Sequence, residues 1–470
     1  MSRLRRGNGK TKRVRFGASD ASLTGSAGMA AIAELADRLD VAGCLDRGIG
    51  PVKQRQRGLS GGELLVALAG AQLLGKDSLS GLDRLRADEA GAELMPVPLP
   101  PSTTAGSGAR RFTPERLAGI ETGLAELTAQ WMSLLPAGRR ADLATRRPSI
   151  DLDSTDTEVY GRKKKGVAYN YQGQRCGRPH LASWAEASLP LAADLLAGND
   201  DVRPQAAQLL RRALDALPDE VCGMPRVRAD AGYFCADLAR AAVEAGCDFA
   251  IAAKRNKACW RAYAAVPDQA WTPARDMTGA QVAACDYAPA GWPADTYTII
   301  RRVRIDAGEI SADPRSRRRR TVPDQQLALA LDGQLDHVYA VSFLVTNLPV
   351  TTAADVVAVE AWFRGRVAIE ERFREAKLGA GLQHLPSGDR TVNTVWTWAA
   401  LLAGAMSVML QSLTGLDTAG RARAARLRAE LLHTPARIIR HARGITLRLP
   451  PGHQLLAQVL ARIRALPAPT

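Results

Sequence analysis

The stretch Ser149-Ile150-Asp151-Leu152-Asp153-Ser154-Thr155 constrains this chain more than any other. Ile150 and Leu152 alternate with Asp151 and Asp153, the two-residue period of a strand, so the apolar pair takes one face and both aspartates the other. An apolar face is ordinary. Two carboxylates side by side repel, and either solvent at an edge strand or a hard divalent cation offsets that repulsion.

The sequence after this strand keeps a strand-helix rhythm. Pro204 to Leu217 has the Leu and Ala spacing of a crossover helix, and PRVRADAGYFCADLARAAVEAG puts Val227 in a short strand, Asp230 at its C-terminal end and Gly232 in the turn before a helix. Ligands of open α/β sheets gather at the carboxyl ends of strands, which suits Asp230 for metal binding; capping the next helix is its competing use. DFAIAAKRNKACW opens with another strand, and HVYAVSFLVTNLP reads as a buried one. Between them, residues 260–335 leave the rhythm: YTIIRRVRI reads as a strand and Arg317 to Arg320 as a charged loop, which predicts a β-rich insertion.

Ala361 to Gly379, AWFRGRVAIEERFREAKLG, is predicted to be one helix ended by its last glycine. Phe363, Arg366, Glu370, Arg374 and Lys377 recur at three- and four-residue steps and share a face, while Val367, Ile369 and Phe373 pack elsewhere. Either this is a solvated face laced by weak ion pairs, or it returns Glu370 to the aspartate-bearing sheet. In the second case Asp153, Asp230 and Glu370 converge and hold divalent ions around a phosphate. Arg366, Arg374 and Lys377 then neutralise neighbouring phosphates, and Trp362 or Phe363 stacks on a displaced base.

A formal charge of +15 over 470 residues favours a polyanionic partner over a small neutral substrate. Seven cysteines, with no CxxC pair and no histidine at zinc spacing, argue for reduced thiols and against a zinc module or a disulfide framework. The apolar stretches are read as broken by charge before membrane-spanning length, so the expectation is a soluble protein of the cytoplasm. Residues 1–20 read as a flexible basic arm, and 21–145 as a helical region that either binds DNA or simply packs. Lys163, Lys164 and Lys165 lie among Tyr160, Tyr169 and Tyr171 and suit a nucleic-acid backbone. His180 is either an acid-base group or a structural side chain. TVNTVWTWAALLAGAMSVMLQS, residues 391–412, reads as a buried helix, and the basic tail beyond it either grips DNA or makes a dimer contact.

SIDLDST, VRADAGYF and the pattern Phe363, Arg366, Glu370, Lys377 together resemble a bacterial insertion-sequence transposase of the DDE class. The last pattern matches the Y-x2-R-x3-E-x6-K signature in its intervals, with Phe363 where tyrosine is expected. The resemblance spans roughly residues 145 to 410 and implies an α/β fold, with a ribonuclease-H-like mixed-sheet core over 146–259 and 336–415 and a β-rich insertion over 260–335; an N-terminal helical domain over 21–145 is compatible with it, and a basic region over 416–470 follows. It implies Asp153, Asp230 and Glu370 as catalytic and metal-ligating residues, Mg²⁺ with Mn²⁺ as a substitute, and two-metal-ion cutting and joining of DNA. It also implies terminal inverted repeats and target DNA as partners, a homodimer when DNA-bound, and association with the nucleoid. A metal-dependent nuclease of the same fold and a catalytically inert DNA-binding protein are the rival readings.

Overall fold

The computed structural model describes residues 3–5, 11–53, 57–311, 313, 316, 318–442 and 444–467. Arg3–Arg5 (β1) and Thr11–Arg13 (β2) pair antiparallel; most of the first ten residues of the expected arm lie outside the described residues. After Leu23–Thr24 (β3) the chain is helical: Met29–Arg38 (α1), Val41–Ile49 (α2), Gly61–Leu73 (α3), Ser80–Ala87 (α4), Glu89–Ala92 (α5), Ser102–Ala109 (α6), Pro114–Ser133 (α7) and Ala137–Thr145 (α8). Ser60 and Glu63 form a capping box that starts α3, which is apolar all round and accordingly buried. Where α2 meets α7 a Cβ on Gly48 would stand 2.2 Å from the Gly119 carbonyl oxygen, so glycine is what permits this backbone contact.

The part of the chain after α8 is built on one large sheet. Its strands are Ser149–Ser154 (β4), Thr157–Glu158 (β5), Ala168–Tyr169 (β6), Arg175–Trp184 (β7) and Leu189–Ala197 (β8), then, after Arg203–Asp215 (α9), Arg226–Ala229 (β9). Ala236–Glu244 (α10) crosses to Asp248–Ala252 (β10), and Lys257–Ala265 (α11) leads to Thr272–Pro273 (β11), Ala280–Cys285 (β12) and Tyr297–Asp306 (β13). Asp324–Leu331 (α12) precedes His337–Thr346 (β14). The order is β11-β12-β13-β14-β10-β9-β4-β7-β5, with β6 and β8 also paired to β7. β9 runs parallel to both β4 and β10, and the other pairings are antiparallel. The strands of residues 260–335 therefore extend the central sheet through β13 and β14, with two helices among them. Arg317 lies outside the described residues, and Arg318 pairs with Glu309 at 3.1 Å.

The helix expected over 361–379 starts earlier and is broken. Ala353–Arg364 (α13) ends at Gly365, Val367–Arg374 (α14) follows, and Glu375–Gly379 closes in a π turn. The break has a partner: Arg228 Nη1 donates to the Trp362 carbonyl at 2.6 Å and lies 2.5 Å from where a Gly365 Cβ would be. Arg390–Thr414 (α15) follows, and at 25 residues it is long and apolar enough to cross a membrane, which corrects the reading that charge interrupts every such stretch. The protein itself covers 89% of its apolar window, so it serves as the core helix joining the two halves. Gln72 donates to its Trp396 carbonyl at 3.2 Å and Trp131 to its Ser412 hydroxyl at 2.9 Å, and one continuous apolar core runs through helices and sheet.

Ala424–Leu427 (α16), Ala436–His441 (β15), Gly444–Arg448 (β16) and Gln454–Arg464 (α17) complete the chain. β15 pairs with β16 and with β3, and Arg464 of α17 pairs with Glu34 of α1, so the last elements finish the first.

Candidate active site

The register of β4 against β9 determines the site. Asp151 is level with Arg228 and Leu152 with Ala229, so the next step brings Asp153 beside Asp230 at the carboxyl ends of two adjacent parallel strands. Side chains two apart share a face, so one face carries an Asp151–Arg228 rung and, above it, an Asp153–Asp230 rung. The lower rung is neutral within itself: Arg228 holds Asp151 through Nε at 2.6 Å and Nη2 at 2.9 Å, both side chains buried. The upper rung has two like charges.

Arg366 supplies the missing cation from the turn between α13 and α14. Its Nη1 donates to Asp153 Oδ2 at 2.9 Å, and its Nη2 lies 3.6 Å from Glu370 Oε1. Burial pushes the Asp153 carboxyl up to about 6, with Asp230 adding to the shift and Arg366 opposing it. Burial disfavours the charge on Arg366, but Asp153 and Asp230 outweigh it and hold its pKa above the ordinary range. Asp230 Oδ1 accepts from Gly232 N–H at 2.8 Å and so caps the short turn Ala231–Tyr233. Glu370 follows on α14 with its side chain 57% exposed.

Among the described residues no group of three or more His, Cys, Asp or Glu side chains is spaced to hold a metal ion. The chemistry nevertheless fits a hard divalent cation. Asp153 and Asp230 offer oxygen donors whose repulsion calls for positive charge, and the Arg366 guanidinium is the stand-in that meets it. Asp153 and Asp230 are brought together on the sheet, and Glu370 reaches them through Arg366.

The remaining predicted contacts divide. Phe363 borders a cavity of about 160 Å³ with Asp230 and Arg366. Trp362 does not: its Nε1 donates to the Ser149 hydroxyl at 2.9 Å and the Arg226 guanidinium covers its ring at 4.6 Å, so the indole is engaged within the protein. Lys377 donates to Thr155 Oγ1 at 2.6 Å and to the Asp156 carbonyl at 2.8 Å, and so anchors the chain just beyond Asp153. Arg374 is exposed and donates to Glu371 at 2.8 Å. Lys163 and Lys165 are exposed beside Tyr160, Tyr169 and Tyr171, whereas Lys164 donates to the Leu385 carbonyl and is partly buried. His180 is fully buried, stacked on Tyr233, and pushed down to about 4 by burial.

Two features escaped sequence reading. One is the Arg228–Trp362 brace beneath the turn; the other is Glu360, buried between Arg301 at 2.7 Å and Arg364 at 2.9 Å. The available signal for the first was Arg228-Ala229-Asp230, which repeats the charge spacing of Asp151-Leu152-Asp153.

Residues 7–468 match the family described as transposase DDE domain group 1. Among solved structures the chain is similar to a piggyBac transposase in a synaptic complex with hairpin DNA, at 8% identity and a TM-score of 0.40, covering 86% of this chain and 78% of that one. No curated protein matches the sequence.

Proposed function

This chain belongs to the transposase DDE domain group 1 family, and on that premise we propose that it cuts DNA at the terminal inverted repeats of an insertion sequence and joins the 3′ ends to target DNA. The observation that carries the reading is the pair Asp153 and Asp230 on adjacent strand ends, bridged to Glu370 by one guanidinium. These three carboxylates would hold Mg²⁺, with Mn²⁺ as a substitute. Two such ions, when bound, supply the charge that activates the attacking oxygen and stabilises the leaving one.

The chain's own residues orient the substrate. Displaced from Asp153, the Arg366 guanidinium is free to take a phosphate oxygen, and Phe363 flanks the same opening. Lys377 keeps the segment after Asp153 in place, and Lys163, Lys165 and Arg374 offer outer phosphate contacts. A second basic surface lies on the helical region, where a groove of about 510 Å³ is edged by Lys53, Arg57 and Arg111 and by the hydroxyls of Thr103, Thr104 and Ser107. Such donors hold a duplex backbone, and a homodimer with paired element ends is the proposed working assembly.

Purified protein, Mg²⁺ and a labelled fragment carrying the inverted repeats that flank its gene test the reading. End cleavage followed by strand joining is expected, with both lost in Glu370→Gln while DNA binding persists. Cleavage without joining would assign a nuclease instead, and binding without either reaction on paired ends with Mn²⁺ would assign an inert DNA-binding protein.

A further inference from the structure

A cavity of about 250 Å³ lies behind α14. Arg372 is two positions from Glu370, about 200° around a helix, so it faces this cavity while Glu370 faces the sheet carboxylates. The opposite wall is residues 421–424, and the Gly404 and Ser407 side of α15 forms the floor. The wall is fixed: fully buried Gln411 accepts from Ala422 N–H at 2.7 Å and donates to the Ala422 carbonyl at 3.1 Å.

Two guanidinium groups border this space short of acceptors. Arg372 donates to the Ser188 carbonyl across a long 3.4 Å, and the Arg421 Nε is buried with no hydrogen-bond partner. Two carboxylates share this lining, and their charges support that of Arg372 against the effect of burial. Glu371 takes Arg374 at 2.8 Å and Arg423 at 3.0 Å, and Glu375 accepts from Ala424 N–H at 2.6 Å. Burial pulls Arg421 down to about 10, and the charge of Arg372 acts in the same direction.

A guanidinium carries five N–H donors in a planar fork, and leaving buried donors unmet costs more than an ordinary hydrogen bond returns. The small residues around them leave room; a Cβ on Gly404 would meet nothing within 4 Å. The complement is a compact anion with oxygens on several sides. We propose that this cavity binds one phosphate group, gripped between Arg372 and Arg421. A free phosphate and a DNA backbone phosphate offer the same chemistry. Either would brace α14 from behind, on the side away from Glu370.

The test is a titration of the full-length protein with inorganic phosphate, read by melting temperature and by calorimetry against chloride at matched ionic strength. Saturable binding is expected in the wild type, with affinity reduced roughly tenfold or more in Arg421→Gln and Arg372→Gln, the loss of a charge-assisted fork. Arg421→Lys keeps the charge without the fork and should bind weakly while folding normally; Arg426→Gln, on the exposed surface, should bind as the wild type does. Competition between phosphate and duplex DNA, with DNA binding weakened in Arg421→Gln, identifies a backbone phosphate as the occupant. Phosphate binding that leaves DNA binding untouched identifies a free anion. No saturable phosphate response in the wild type, or equal affinity in the wild type and Arg421→Gln, overturns the proposal. Neither readout requires DNA cleavage, so this site and the catalytic reading fail independently.

Discussion

Arg366 donates to Asp153 across 2.9 Å, although 213 positions separate the two residues in the chain. That bond joins the sheet to the turn before α14 and balances the repulsion between Asp153 and Asp230. Replacing Arg366 with methionine leaves the carboxylates without their cation, and the expected loss is about 1–3 kcal/mol in metal-free buffer, less than for a fully buried pair. Added Mn²⁺ should then raise the melting temperature of Arg366→Met by more than it raises that of the wild type. Equal responses to Mn²⁺ would dissociate the guanidinium from the cation site.

The Asp153 carboxyl also sets a pH dependence. Its value in the folded chain, about 6, lies above the ordinary 3.8. A carboxyl raised in this way favours the folded state while protonated; that contribution is complete below the unfolded value and is lost as pH rises through the folded one. Asp153→Asn does not ionise and should therefore gain stability over the wild type from about pH 4 to about pH 8, by up to about 3 kcal/mol. Melting curves of both proteins across that range measure the difference, and parallel curves would remove Asp153 as its source.

Beneath the site, the Asp151–Arg228 pair is buried on both sides. Asp151→Leu or Arg228→Met alone strands a charge and should cost about 3–5 kcal/mol, whereas the two combined should cost much less than the sum. Urea unfolding of the two single variants and the double variant gives the coupling directly. Additive losses would mean that the two groups act separately.

Trp362 is committed to Ser149 and Arg226. Trp362→Phe should destabilise the protein by about 1–2 kcal/mol through the lost hydrogen bond and the weaker cation–π contact, with DNA affinity unchanged. The reverse pattern, weaker DNA binding at unchanged stability, would return the indole to the substrate.

What sequence reading recovered follows from which signals are local. The shared face of Asp151 and Asp153 and the place of Asp230 before the turn at Gly232 were legible because strand period and turn chemistry are written within a few residues, whereas the choice of Asp153 over Asp151 came from the family resemblance alone. The common face of Arg366 and Glu370 was legible because they lie four apart on either side of a helix start. The break at Gly365 was not, since it follows from Arg228 reaching across from another strand. The contact of Trp362 with Arg226 was hidden for the same reason: an aromatic beside cations in the sequence does not say which cation covers it, and the packing of α13 supplies that. Lys164 and Lys165 are adjacent in sequence yet differ in fate, because one side chain meets the Leu385 carbonyl and the other points to solvent.

The pairing of Leu23–Thr24 with Ala436–His441, and of Glu34 with Arg464, has a consequence for the order of synthesis. A ribosome makes the N-terminal helices first, and Arg464 of the helix that covers α1 emerges 430 positions after its partner Glu34. A premature stop or frameshift anywhere before Ala436 therefore removes support from the first domain as well as the last. The product is an unfinished chain with exposed apolar helices, a substrate for proteolysis rather than a shorter working protein.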